Sequence, residues 1–125
     1  LALGASTMGV HHKLCHVLGG SFGLPHAETH AVVLPHAAAY NAPGAPEAMR
    51  RVARALGAES APRGLHDLAK RLGAPIALRE LGLQEADLDR AAEIAARAPY
   101  PNPRPIEREA IRKLLGDAWA GTEPG

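Results

Sequence analysis

Six of the seven histidines lie within 26 consecutive positions: His11, His12, His16, His26, His30 and His36. His12 and His16 are four residues apart, so on a helix both project from one face. His26 follows 14 residues after His12, just past the Gly19-Gly20 pair. Two helices joined by so short a loop are antiparallel neighbours, which brings His12, His16 and His26 to one cleft. Imidazoles that converge in this way bind a borderline metal such as zinc or iron, move protons near neutral pH, or hydrogen-bond a polar ligand. The spacing alone leaves all three open.

The other candidates read more plainly. His30 is one turn beyond His26 and shares its face, in ligand binding or in packing. His11 points away from the His12 face and reads as structural. His36 follows Pro35 and reads as a helix-packing residue. His66 lies beside the apolar stripe of an ordinary helix and reads as solvated. Cys15 carries no charge pattern that marks a nucleophile, so it reads as a small buried hydrophobe.

The elements that must position these residues are helices. The chain has 26 alanines and 16 leucines but only nine valines plus isoleucines, and four aromatic residues. Alanine and leucine favour helix, whereas strands want β-branched and aromatic side chains. A β-sandwich or barrel is excluded. The pattern predicts one all-helical unit over residues 1–125, a bundle of about six helices.

A first helix is expected from Leu1, stopped by Gly19-Gly20, and a second over about 26–40, kinked or broken by Pro35. Pro25 is expected in the first turn of that second helix. Apolar stripes then predict a helix on Met49, Val52, Ala53 and Leu56 stopped by Gly57, and another on Leu65, Leu68, Ala69 and Leu72, capped by Ser60. Further helices are expected over about 84–98 and 106–120. The four prolines between Pro99 and Pro105 demand an extended segment.

Charge and length narrow the function. A net charge of +1 gives no basic footprint for nucleic acid. One cysteine rules out an intrachain disulfide framework and suits a reducing, cytoplasmic setting. No apolar run reaches the roughly 18 residues of a membrane span. The opening residues lack a basic region and do not read as a signal peptide. The chain begins with Leu1, which reads as a piece of something longer.

The run from Gly9 to Gly20, GVHHKLCHVLGG, followed by SFGLPHAETHAVVLPHAAAYNAP, resembles the iron-containing, or group III, alcohol dehydrogenase family. The family pattern is carried by Gly9, His12, His16, Gly19, Pro25-His26, Leu34-Pro35-His36 and Tyr40-Asn41, and continues to the NPRP segment at Asn102–Pro105. HHKLCHVLGG and LPHAETHAVVLPHA are similar to the maleylacetate reductase branch.

The resemblance implies the C-terminal helical domain of a dehydroquinate synthase-like architecture. An N-terminal α/β domain would hold NADH or NADPH, since no G-x-G-x-x-G run occurs in this chain. It implies reduction of maleylacetate to 3-oxoadipate in the breakdown of aromatic compounds, by an enzyme that forms a homodimer. By the same resemblance His12 and His26 match the metal ligands of family members that use iron or zinc, and His16 matches the histidine beside substrate and nicotinamide. In members working without metal, His16, His26 and His12 would bind or protonate the substrate, a small dicarboxylate, with Lys13 or His30 assisting. A different substrate within the same family, or a non-catalytic helical binding module that keeps the histidine cluster, are the competing readings.

Overall fold

The computed structural model describes residues 9–97, 100 and 102–124. Among these, six α-helices follow one another: α1 (Gly9–Phe22), α2 (His26–Asn41), α3 (Pro46–Leu56), α4 (Ala61–Arg71), α5 (Leu88–Ala95) and α6 (Arg108–Ala120). Short 3-10 turns lie at Ala42–Gly44, Leu78–Leu81 and Glu85–Asp87. No strand occurs among the described residues, as the alanine- and leucine-rich composition requires. The helix expected over Leu1 to Met8 lies outside them.

Helices α1 and α2 form an antiparallel hairpin at the centre. Leu14 and Leu18 of α1 and Val32, Val33 and Ala37 of α2 are almost completely buried, together with Leu78, Leu88, Ile111 and Leu115. Each such leucine contributes about 1.5–3 kcal/mol relative to an exposed one. Helices α5 and α6 pack on each other and against this hairpin, while α3 and α4 close its other side.

The structure corrects several expected boundaries. Gly19 and Gly20 do not end α1. The chain stays helical to Phe22 and turns at Gly23, whose φ of 70° lies in the left-handed region that glycine tolerates. Pro25 caps α2 from outside instead of entering it, with extended backbone at ψ 137°. Pro35 sits inside α2 and does not break it. An interior proline costs a helix roughly 3 kcal/mol; burial of Val32, Val33, Ala37 and Tyr40 on either side holds the helix through it.

In α4 the buried side is not the leucine stripe. Ala61, Pro62, Gly64 and His66 face inward, while Leu72 is 75% exposed. Small residues let α4 approach closely: a Cβ at Gly64 would stand 2.8 Å from the Ala58 Cβ. His66, expected in solvent, is therefore buried. The caps read from sequence are present. Ser60 accepts a hydrogen bond from the Arg63 amide, and Gly57 ends α3 at φ 66°. The helix expected over 84–98 is shorter, because its first turn is the 3-10 turn Glu85–Asp87.

Residues 102–105 of the proline-rich segment form a non-helical strap clasped by the end of α2. The Asn102 side chain accepts from the Val10 amide at 2.9 Å and donates to Asn41 Oδ1 and to the Arg104 carbonyl, each at 2.7 Å. One side chain thus satisfies an early α1 amide, which has no partner within its own helix, and ties it to the last residue of α2. The Tyr40 hydroxyl donates to the Pro105 carbonyl at 2.6 Å and accepts from the Glu107 amide at the start of α6. The Arg104 guanidinium lies 4.2 Å from the centre of the Tyr40 ring. Gly44 must be glycine here, since a Cβ would come within 2.5 Å of the Pro103 carbonyl oxygen.

Replacing Asn102 by Ala removes three hydrogen bonds and strands the Val10 amide. Urea unfolding of the Asn102→Ala variant is expected to show a loss of about 2–3 kcal/mol. A loss below about 0.5 kcal/mol, the scale of an ordinary surface change, would show that the strap is not held at this point.

Candidate functional site

One side of the α1–α2 hairpin opens into a cleft of about 350 Å³ lined by His12, Cys15, His16, Gly19, Gly20, His26 and His30. Four imidazoles from two helices share this wall. They do so because His12 and His16 are one turn apart on α1, His26 and His30 are one turn apart on α2, and the Gly23 turn sets the helices side by side. Gly19 and Gly20 carry no side chains to fill the space. No carboxylate lines the cleft among the described residues.

Three of the residues singled out from spacing, His12, His16 and His26, are exposed on this wall, and His30 is half-buried beside them. The rings form a chain. His26 and His30 are 4.2 Å apart between centres, His30 and His11 4.9 Å, and His11 and His12 5.6 Å. His11, read from sequence as structural, is buried behind the wall with its Nε2 3.4 Å from the His30 carbonyl. Lys13 does not line the cleft; its ammonium lies 5.8 Å from the centre of the Tyr100 ring.

Burial and crowding disfavour the charged form of two of these imidazoles, His30 and His11. His30 is held below its ordinary pKa by desolvation, and by the charges that His26 and His12 would carry. His11 is pushed down to about 4, chiefly by burial and also by His30 and His12, against a raising contribution from the His30 carbonyl. Cys15 is a buried free thiol pushed up to about 12 by desolvation. It is not a poised nucleophile.

The fold of this site is shared with known proteins. Residues 1–119 match the C-terminal part of the Fe-containing alcohol dehydrogenase family. The chain belongs to that family. It is 60% identical over 122 residues to a maleylacetate reductase of Burkholderia cepacia, covering 98% of this chain and 35% of that protein. The crystal structure of maleylacetate reductase from Agrobacterium tumefaciens superposes with a TM-score of 0.88 at 54% identity, over 92% of this chain and 33% of that one. An iron-containing alcohol dehydrogenase from Corynebacterium glutamicum gives 0.83 at 45% identity over 92% and 33%. The chain spans about a third of the length of these relatives. An additional N-terminal region is therefore implied by the family.

The family name raises the question of iron. His12 and His26 line the same cleft from two helices. They are not joined by a third donor: among the described residues, the three-donor group within ligand distance is His11, Cys15 and His30 instead. Stable protein sites use three or four protein ligands. The pair in this chain does not make an iron site by itself.

A second buried pair lies apart from the cleft. His36, on α2, and His66, on α4, stand 6.4 Å apart between ring centres, and His36 Nε2 has no hydrogen-bond partner among the described residues. Sequence spacing placed His36 in packing, as found, but gave no sign of His66 as its neighbour, because nothing local pairs the two helices. His36 is pushed down to about 4, mainly by burial; His66 and Lys113 add to the shift and Asp117 opposes it.

The buried imidazoles of His11 and His36 predict acid sensitivity. Each has a folded-state pKa below the ordinary 6.5, so the unfolded chain takes up the proton first. Their contribution is intact above pH 6.5 and is lost as pH falls toward 4. It amounts to about 3 kcal/mol apiece, since a tenfold change in proton affinity is about 1.4 kcal/mol. Urea midpoints measured between pH 7.5 and 4.5 should fall, and His36→Gln should flatten the slope. An unchanged slope in that variant would show that His36 does not carry it.

Proposed function

We propose that this chain is the C-terminal helical domain of an NAD(P)H-dependent maleylacetate reductase, and that the α1–α2 cleft binds and protonates its dicarboxylate substrate. The observation that carries this reading is a wall of four imidazoles with no carboxylate among them. Such a wall offers N–H donors to an anion and repels nothing in it. Identity of 60% to a protein of that activity supports the choice of substrate.

NADH or NADPH, held by residues beyond this chain, would supply the hydride. Hydride addition to the carbon–carbon double bond of an enone leaves the electron pair on the carbonyl oxygen as an enolate. An imidazole N–H aimed at that oxygen stabilises the charge, and a protonated imidazole returns the proton to carbon. His16 and His26 take these parts, on facing helices of the cleft. His12 orients them or hydrogen-bonds a substrate carboxylate. His30 binds the second carboxylate; an anion beside it would oppose the burial and the neighbouring imidazoles that hold its pKa down.

The test uses the full-length protein with NADH or NADPH and maleylacetate. His16→Ala should lower kcat about a hundredfold or more while changing KM far less, since the lost interaction belongs to the transition state. His66→Ala should leave kcat nearly unchanged and lower the melting temperature, because His66 is buried on another helix. A kcat within about twofold of wild type, with a raised KM, would make His16 a substrate anchor and overturn its assignment as donor. No turnover of maleylacetate by the unaltered protein would overturn the reading as a whole.

A further inference from the structure

Behind the imidazole wall lies a second set of donors, two of which, His11 and Cys15, have no part in the reduction, and which His30 of the wall completes. His11 and Cys15 are four residues apart on α1 and both are buried, at 7% and 6% exposure. His30 reaches them from α2. One ligand atom from each lies within 4.8 Å of the others. This set shares no residue with the His12–His26 pair.

We propose that His11, Cys15 and His30 form a binding site for a soft divalent cation of the zinc class, at the floor of the cleft. Zinc sits about 2.0–2.1 Å from imidazole nitrogen and about 2.3 Å from thiolate sulfur, so tetrahedral ligand atoms stand roughly 3.3–3.8 Å apart. Closing the present spacing needs movements of about an ångström, and His30 is half-buried and on the open side. Two imidazoles and one thiolate select zinc or a similarly soft ion over magnesium or calcium, which want oxygen.

The surroundings favour this chemistry over simple packing. His11 is buried and offers an imidazole nitrogen to the other two donors. Its contact with the His30 carbonyl is long, at 3.4 Å, and competes weakly. The Cys15 thiol keeps its proton until an ion replaces it, so binding releases one proton per ion and tightens as pH rises. Cys15 and His30 also line the cleft. The fourth position therefore opens toward solvent or a cleft ligand.

The purified protein, stripped with chelator, is titrated with Co²⁺ as the spectroscopic probe and then with Zn²⁺. One cobalt per chain is expected, with a thiolate-to-cobalt charge-transfer band that zinc abolishes. Cys15→Ser should remove that band and weaken zinc binding by more than about tenfold. Replacing His12 and His26 together by Ala should leave the band in place. Absence of cobalt binding, binding without a thiolate band, or a band lost with His12 and His26 but kept in Cys15→Ser would each overturn the site. The wild-type spectrum decides the matter even if a variant fails to fold. None of these readouts depends on reductase activity, so failure here leaves the proposed reaction standing.

Discussion

Everything at the cleft depends on the pairing of α1 with α2, and that pairing is fixed at both ends. At one end Gly23 turns the chain in a left-handed conformation, and the Leu24 amide returns to the Leu18 carbonyl at 3.1 Å. At the other end Asn102 bridges the start of α1 and the end of α2. Between them a dry seam of leucine, valine and alanine excludes water. A hairpin held in this way has one register. That register puts His12 and His16 opposite His26 and His30, and it puts His11 and Cys15 just beneath them.

The electrostatics follow from the same geometry. Burial disfavours the charged form of His30 and His11, and imidazoles brought this close without a carboxylate partner add to the effect by repelling one another's protons. Free of ligand, His30 and His11 are therefore neutral at physiological pH. Such a site is incomplete until something arrives that favours the cationic form or takes the lone pairs. An anion in the cleft does the first, and a soft cation on the floor does the second.

The histidine spacing made the cleft legible because it is a local property of two consecutive helices. His12, His16 and His26 needed only the helical repeat and a short turn to be placed together. The helix class was legible in the alanine and leucine content. What escaped was whatever depends on distant parts of the chain. His66 meets His36 because α4 packs along α2, and no local pattern announces that contact. The leucine stripe of α4 misled because a close approach selects Ala61 and Gly64 over larger residues. Pro35 misled because tertiary packing outweighs its local cost. Cys15 read correctly as a buried hydrophobe, but its neighbours His11 and His30 appear only once two helices are side by side.

The central claim is that the α1–α2 cleft receives a dicarboxylate on its imidazoles. Histidine ring resonances followed by NMR while maleate is added test it directly. The account predicts that the rings of His12, His16, His26 and His30 shift toward the protonated form as maleate saturates, while His36 and His66 stay fixed. Maleate that moves His36 or His66 and leaves the four cleft rings unchanged would contradict it.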